Sequence, residues 1–285
     1  MGVRTSITEN EFQQKDNHQQ ELSLLLGADS FLYGITDQNQ QLLALRDVQL
    51  SDRERPHRSF RQLLDTDDLL QREYRQVNVV WTDRRSTLVP RHLFEADHPI
   101  TYLEHLFETD AHTPAHFDRL HQPEAYQVYT VAPEWEQLLR RKYPNARHHH
   151  IIRMLLAGYT THAAHEEFFL AIHTRDEQLW VTYLFQNRLQ YTNVFTVRSP
   201  QDVVYFTLLV FQEQKLAPAN ATLYLSGELV QHSETNRLLD SYVGELKPLP
   251  APIGLKYGTQ FSETIPPALY FDLLSTCVET LRPFA

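Results

Sequence analysis

A turn at residues 27–30, Gly-Ala-Asp-Ser, places three chemically useful residue types between two apolar segments. Glycine lets backbone amides approach an anionic ligand, and a carboxylate can reach a metal ion. The same residue types are also common in turns, because glycine adopts unusual backbone conformations and Asp and Ser hydrogen-bond to nearby backbone. The turn is therefore either a phosphate-binding loop around Asp29 and Ser30 or a simple turn between two strands.

Histidine is the second distinctive residue type, with 15 in the chain and a run of three at residues 148–150. His162 and His165 are three residues apart near the end of a predicted helix, and two glutamates follow them. This spacing places both imidazoles on one helix face, as a zinc site requires, and His173 is a conceivable third ligand. The alternative is that these are polar surface histidines that bind no metal.

Other catalytic signatures are absent from the sequence. It contains neither a G-x-S-x-G nucleophile motif nor a G-x-x-x-x-G-K-[ST] phosphate loop. The arginines between residues 46 and 61 alternate with acidic residues, which favours a solvated surface over a nucleic-acid-binding patch. Cys277 lies among apolar residues and is predicted to be a buried, unreactive thiol.

The composition is typical of a globular protein, with 42% hydrophobic and 22% charged residues among 285. The formal net charge of −10 disfavours binding to nucleic acid and to anionic membrane surfaces. The sequence has no run of about 18 apolar residues, so no membrane insertion is expected. A single cysteine and an N-terminus unlike a signal peptide favour a cytoplasmic protein.

Two stretches of the chain share one predicted order of elements: three strands, a helix and a fourth strand. The first stretch covers residues 22–81 and the second covers residues 168–226. A hairpin from each aligns without gaps, residues 35–45 on residues 183–193, at an offset of 148. A repeat near half the chain length indicates duplication of a domain-sized unit.

This repeat divides the chain into three predicted parts. The polar, Gln- and Asn-rich segment at residues 1–20 has no periodicity and is expected to be a disordered or loosely attached tail. Residues 21–162 form the first predicted domain, and residues 163–285 form the second. Each is predicted to be an α/β unit, because apolar strands alternate with amphipathic helices.

The duplicated β-β-β-α-β-α-β unit with a mixed sheet resembles the ribonuclease-H-like unit. Two such units in tandem, with an interdomain cleft, make the actin-like ATPase fold, and the chain is similar to the bacterial versions that assemble type IV pili or type II secretion platforms. The segments ELSLLLGADSFLYGITD and FFLAIHTRDEQLWVTYLFQNRLQYTNVF also resemble a Bacteroidetes family known as a domain of unknown function. The resemblance implies a mixed sheet flanked by helices in each domain, and no activity.

The resemblance also implies three nucleotide-binding loops, and each of them departs from the expected residues here. Active members of the fold place Asp, then Gly and a hydroxyl residue, after the first strand, whereas here Gly precedes Asp29 and Ser30. The second loop has no glycine, although Arg175 could hold an anion, and the adenosine loop keeps only Gly227 of a glycine pair. The simplest interpretation is a pseudo-ATPase without a cofactor, with ATP and Mg²⁺ binding as the alternative.

Three functional hypotheses follow. The favoured one is a non-catalytic actin-like scaffold module that binds another protein through the cleft or through a sheet edge. The second is an ATPase or kinase with a divergent site, in which Asp29 acts on Mg²⁺ and Gly227 lies near adenine. The third is a metal- or nucleic-acid-binding protein that uses the histidine or arginine clusters. Fold alone does not decide among them.

Overall fold

The computed structural model of the chain describes residues 2–9, 12, 19–50, 56–108, 113–120, 122–231 and 233–279. The strands in these residues are β1 (Gly2–Thr8), β2 (Gln20–Leu26), β3 (Ser30–Asp37), β4 (Leu42–Gln49), β5 (Gln76–Trp81), β6 (Ser86–Pro90), β7 (Ala115–Leu120), β8 (Ala125–Thr130), β9 (Arg147–His150), β10 (Phe168–Arg175), β11 (Gln178–Phe185), β12 (Arg188–Thr196), β13 (Thr222–Gly227) and β14 (Glu245–Pro248). The α-helices are α1 (Pro56–Thr66), α2 (Thr101–Glu104), α3 (Pro133–Lys142), α4 (Ile151–His162), α5 (Pro200–Glu213), α6 (Ser233–Asp240), α7 (Thr259–Thr264) and α8 (Phe271–Glu279).

Two large sheets have the same strand order. The first sheet has the order β1-β4-β3-β2-β5-β9, and the second has the order β12-β11-β10-β13-β14. Apart from β1, both sheets join an antiparallel three-stranded meander to two parallel strands, with the first strand of the meander at the junction. The two mixed, helix-flanked sheets that the sequence predicts are therefore confirmed.

The apolar core lies in three layers around these sheets. Helices α4 and α8 form a central cluster that includes Leu25 and Leu32 of the first sheet and Phe169 and Trp180 of the second. Helices α1 and α3 cover the opposite face of the first sheet, and α5 and α6 cover the opposite face of the second. Because the central cluster is shared, burial of apolar surface holds the two halves together.

Helices α4 and α8 pack closely at Gly158. A Cβ atom at this position would lie 2.4 Å from Ser275 Oγ and 2.7 Å from Phe271 Cζ, so only a residue without a side chain allows the contact. Tyr159 stacks on Phe271 next to it, with ring centroids 5.4 Å apart. Since α4 ends at His162 and contacts both sheets, the domain boundary between residues 162 and 163 stays a prediction.

A third, small sheet with the order β6-β8-β7 lies between β5 and α3 in the chain. Strand β8 belongs to this small sheet, and the edge strand next to β5 in the first large sheet is β9. Strands β6 and β7 were not predicted. Both are short, and their half-exposed polar residues interrupt the alternation of apolar and polar residues that indicates a strand. In the second half, β14 is likewise a short strand that the sequence pattern does not indicate.

The expected disordered tail is wrong for residues 2–8. They form β1, which pairs antiparallel with β4 at the edge of the first sheet. Ile7 is the one buried residue of β1, so the sequence shows little alternation of apolar and polar residues there. The strand is stabilised mainly by its backbone hydrogen bonds to β4. Phe12 is also buried, and the rest of the predicted tail up to residue 18 lies outside the described residues.

Among the helices of the described residues, none has the length and apolar character needed to cross a membrane.

Candidate functional site

The turns of two hairpins, one from each half of the chain, meet at the candidate site. Residues 27–29 join β2 to β3, and residues 176–177 join β10 to β11. Ser30 Oγ donates a hydrogen bond of 2.7 Å to Asp176 Oδ2. A Cβ atom at Gly27 would lie 1.9 Å from the same oxygen, so the carboxylate of Asp176 lies directly against the backbone of the first turn.

Local hydrogen bonds hold the first turn in place. Gly27 N donates to Ser30 O at 3.0 Å and closes the hairpin. The carbonyl oxygen of Asp29 accepts from Leu50 N and from Gln49 Nε2, both at 2.9 Å, which ties the turn to the end of β4. The backbone of Asp29 is therefore held in place, and its side chain faces Asp176 of the other half.

The second turn is a tight two-residue hairpin. Asp176 and Glu177 both have positive φ angles, 49° and 61°, which is typical of the type I′ turn that matches strand twist. Arg175 and Gln178 pair with each other in the ladder on either side of the turn. The hairpin therefore presents a carboxylate at its tip, and its flanking backbone groups belong to the sheet.

The carboxyl group of Asp176 faces Asp29 across the contact. Burial, together with the hydrogen bond and the charge from Asp29, raises the pKa of Asp176 to about 7. The hydrogen bond from Ser30 and the charge of Arg175 oppose this increase only in part. Asp176 therefore holds a proton at mildly acidic pH, at the contact between the two halves of the chain.

A fully buried polar network lies directly behind the second turn. Arg175 binds both carboxylate oxygens of Asp272 in α8, with Nη2 3.0 Å from Oδ1, and Nη2 also donates to Leu269 O at 3.1 Å. His173 Nε2 lies 3.2 Å from Asp272 Oδ2, and His173 Nδ1 lies 3.0 Å from Ser226 Oγ. Burial by itself would raise the pKa of Asp272, but Arg175 and His173 hold it well below its ordinary range.

The buried network contains the residue types of a hydrolase triad, Ser226, His173 and Asp272. Unlike a catalytic triad, it is closed to solvent. All three are 0% exposed, so a substrate cannot reach the Ser226 hydroxyl. The carboxylate that would orient the imidazole is bound to Arg175 as well. The network therefore joins β10, β13 and α8 and has no open side for chemistry.

Arg175 and Gly227, which the sequence suggests for anion and adenosine binding, are both enclosed. Arg175 is 1% exposed, and its guanidinium group is already bound to Asp272. Gly227 has φ 72°, and a Cβ atom there would lie 2.1 Å from Thr174 O. The space beside Gly227 is occupied by β10.

The three histidines proposed as metal ligands have different environments. His162 is half-buried at the end of α4, His165 is exposed, and His173 belongs to the buried Asp272 network. In the part of the chain that the structure describes, no group of three or more His, Cys, Asp or Glu side chains is arranged to hold a metal ion. The structure does not bring these three histidines together.

The histidine run at residues 148–150 lies in the first sheet as β9. His148 accepts a hydrogen bond of 3.0 Å from Trp81 Nε1, and His149 Nδ1 lies 3.1 Å from Asp118 Oδ1. Burial and the neighbouring His116 lower the pKa of His148 to about 4. The imidazole of His148 is therefore neutral at physiological pH.

Sequence reasoning missed the two acidic residues that organise the site. Asp176 stands in the charged segment of the second turn, where the absence of glycine drew attention away from its carboxylate. Asp272 is 97 residues from Arg175, so no local pattern connects them. A buried arginine in a strand requires a carboxylate partner, and that requirement was the signal available.

A pocket of about 290 Å³ adjoins the contact between the turns. Gly27 and Ala28 of the first turn and Gln178 of the second line one side of it, and Trp81 and Trp135 line the other. Parallel strands β2 and β5 end here, which is the edge of an α/β sheet where ligands usually bind.

Comparison with solved structures defines the class of fold. The chain is similar over 95% of its length to 99% of a Bacteroides thetaiotaomicron protein with an actin-like ATPase fold and unknown function, with a TM-score of 0.81 and 16% identity. It is also similar over 94% of its length to 100% of a chain of the PilM–PilN type IV pilus biogenesis complex, with a TM-score of 0.59 and 13% identity. The chain has the actin-like ATPase fold, as the sequence predicts.

The chain belongs to the family described as "Protein of unknown function (DUF3822)", whose model matches residues 9–246. This confirms the resemblance to a family of unknown function. None of the curated proteins matches the chain.

Proposed function

We propose that the chain is a non-catalytic actin-like module that binds a segment of another protein and does not bind ATP. One observation carries this proposal: Asp176 Oδ2 lies 2.7 Å from Ser30 Oγ and against Gly27. In the actin-like fold, the two hairpins that meet here are those that hold the nucleotide phosphates. Asp176 and Asp29 together keep a negative charge even when one of them carries a proton, so they repel a phosphate, and Asp176 occupies the Ser30 hydroxyl donor that would bind it.

The other two loops support the same proposal. An anion at Arg175 would have to displace Asp272, which binds the guanidinium through two hydrogen bonds in a fully buried network. Adenine beside Gly227 would have to displace Thr174 and His173, which contact this glycine. Loss of nucleotide binding with retention of the fold accounts for all three loops together.

Binding to another protein is supported by the nature of the structural relatives. One of them is a chain of the PilM–PilN type IV pilus biogenesis complex, which is an assembly of proteins. An actin-like fold without a nucleotide site keeps its sheet edges and surfaces, which are available for a partner. We also propose a cytoplasmic location, supported by the single cysteine.

A sheet edge is favoured over the cleft as the docking surface. The two halves are joined by hydrogen bonds from Arg84 Nη1 to Thr196 Oγ1 at 3.4 Å and from Gln122 Nε2 to Asn187 O at 2.9 Å, at the two ends of β12, which leaves the middle of this strand for a partner. Strand β12 is one of the two edge strands of the second sheet, and each of its nine residues is exposed or half-buried. An extended segment of a partner can add to this edge through backbone hydrogen bonds.

Calorimetric titration with ATP and Mg²⁺ tests the absence of nucleotide binding. We expect no heat of binding at a dissociation constant below about 100 μM, equivalent to about −5.5 kcal/mol. The matched variant is Asp29→Ala, which removes the only carboxylate of the first turn. Binding that is tighter than this limit and is weakened in Asp29→Ala would contradict the proposal and favour the divergent ATPase.

Site-specific photo-crosslinking in cells of the source organism tests the docking surface. A photoreactive amino acid at Asn193, exposed on β12, should give an adduct with one protein partner. The same amino acid at Glu213, exposed on α5, is the control and should give none. Equal adducts at both positions, or adducts at Glu213 alone, would exclude β12 as the docking edge.

A further inference from the structure

We propose that Asp29 and Asp176 form a proton-dependent latch between the two halves of the chain. A proton shared by the two carboxyl groups joins the β2–β3 turn to the β10–β11 turn, and loss of this proton separates the turns. The latch concerns the contact between the halves, so it stands whether or not a protein partner binds at β12.

The β2–β3 turn and the β10–β11 turn contact each other through carboxyl groups. Asp29 and Ser30 belong to the first half, and Asp176 belongs to the second, 146 residues from Ser30. Asp176 Oδ2 accepts from Ser30 Oγ at 2.7 Å, and Asp29 faces the same carboxyl group, whose Oδ1 is buried without a hydrogen-bond partner among the described residues. Two carboxyl groups can hydrogen-bond to each other only when one of them carries a proton.

The charged groups that face Asp176 do not neutralise it. They are Asp29 from the β2–β3 turn and Arg175 from β10, while Ser30 from β3 is an uncharged donor. The guanidinium of Arg175 is bound to Asp272 and is also attracted by Asp47 of β4, so its charge is shared among several carboxylates. Asp176 therefore lacks a cation of its own, and its pKa of about 7 agrees with this arrangement.

Ionisation of both carboxyl groups opposes the contact. Two like charges at hydrogen-bond distance repel each other, and the Ser30 hydroxyl satisfies only one of them. The tip of the second hairpin then moves away from Gly27, while the central core around α4 and α8 keeps the halves together. This movement opens the pocket of about 290 Å³ that Gly27, Ala28 and Gln178 line.

Carboxyl-carbon NMR titration of the full chain tests the shared proton. We expect the Asp176 carboxyl to titrate near pH 7, with a change at Asp29 over the same pH range. In Asp176→Asn, whose amide imitates the protonated acid, the change at Asp29 near pH 7 should vanish. Titration of Asp176 near pH 4 in the unmodified chain would overturn the proposal.

Distance measurement by electron paramagnetic resonance tests the separation of the turns. Spin labels are attached to cysteines at Ala28 and Glu177, which are exposed on the two turns, because the native Cys277 is buried. We expect the distance between the labels to lengthen by several ångströms between pH 5.5 and 8.5, and to remain constant in Asp176→Asn.

Two further variants keep this test decisive. Glu213→Gln removes an exposed carboxylate far from the turns, and its label distance should change with pH as in the unmodified chain. Asp29→Asn replaces Asp176→Asn if the latter does not fold, and it should also remove the change with pH. A distance that does not depend on pH in the labelled chain, or that lengthens equally in the Asn variant, would overturn the latch.

Discussion

The first hairpin of each half has the same position in its sheet and different chemistry. Strand β3 begins at residue 30 and β11 at residue 178, so the offset of 148 found in the sequence also relates β2 to β10. At this offset Leu25 of the first half corresponds to His173 of the second, and Gly27 corresponds to Arg175. One topology therefore accommodates an apolar strand in one half and a buried charged network in the other.

This difference shows where each hairpin obtains its stability. Leu25 is fully buried in the central cluster and needs only apolar contacts. His173 and Arg175 are equally buried, but they depend on Asp272 from the last helix, because buried charge is unfavourable without a partner. The second hairpin thus requires α8 to be in place, whereas the first turn is held by neighbours in its own sheet.

The largest predicted effect is the loss of the Asp272 carboxylate. Asp272→Ala leaves Arg175 buried without a counter-ion, so we expect the free energy of unfolding in urea to fall by about 3–5 kcal/mol. The control is the double variant Arg175→Met with Asp272→Leu, which removes both charges and should lose less stability. A double variant that is less stable than Asp272→Ala would refute the role of uncompensated charge.

A smaller effect is expected where the two hairpins touch. Gly27→Ala places a methyl group 1.9 Å from Asp176 Oδ2, and we expect a loss of about 1–3 kcal/mol in urea unfolding. Asp176→Ala in the same chain removes the nearest clashing atom and leaves Ser30 Oγ, 2.5 Å from the added Cβ, so it should restore part of this loss and give a coupling energy in a double-mutant cycle. Additive losses would show that the turns do not contact each other.

Two carboxyl groups of the second half, Asp176 in the turn of its first hairpin and Asp272 in α8, predict pH effects of opposite sign. The raised pKa of Asp176 means that its contribution to stability is present below its unfolded value near 4 and is lost as pH rises to about 7. The lowered pKa of Asp272 means that its contribution is present above about pH 4 and is lost in stronger acid. Thermal unfolding of the chain and of Asp176→Asn from pH 3 to 9 separates the two.

In this experiment, Asp176→Asn should remove the decline between pH 4 and 7 and retain the loss of stability in acid. The decline should amount to about 1–3 kcal/mol, since Asp176 is only partly shielded from water. The exposed neighbour Glu177 provides the control, because Glu177→Gln should leave the profile unchanged. An identical profile for Asp176→Asn would show that Asp176 does not cause the decline in stability between pH 4 and 7.

The smallest effect is expected for the ion pair that joins β1 to the second half. Arg4 Nη1 lies 3.1 Å from Glu228 Oε1, but both side chains are partly exposed. Arg4→Ala should therefore lower the free energy of unfolding by no more than about 1 kcal/mol, with the effect diminishing in high salt. If Arg4→Ala lowered the free energy of unfolding as much as Asp272→Ala does, burial would not explain the difference between the two ion pairs.

The elements that the sequence predicted well are those with strong local patterns. The apolar strands of both sheets and helix α5, with Ser199 at its N-cap, are visible in short stretches of sequence. Edge strands such as β1 and β6 were missed, because edge pairing stabilises sequences that bury few side chains. The pattern of apolar residues in short stretches of sequence therefore identifies buried strands and helices more reliably than strands at a sheet edge.

The candidate site was predictable only in part. Asp29, Ser30 and the glycine-free second turn could be placed at the ends of strands from the sequence alone. The contact between Ser30 and Asp176 could not, because it joins residues 146 positions apart through the arrangement of two domains.

The sequence by itself determined the duplicated α/β unit, its apolar strands and the unusual composition of its three loops, because these follow from residue types within short windows. Only the tertiary structure decided that Asp176 lies against Gly27 and that Arg175 is bound to Asp272. The physical reason is that burial and charge pairing depend on which surfaces the packed helices α4 and α8 bring together, and that information is distributed over the whole chain.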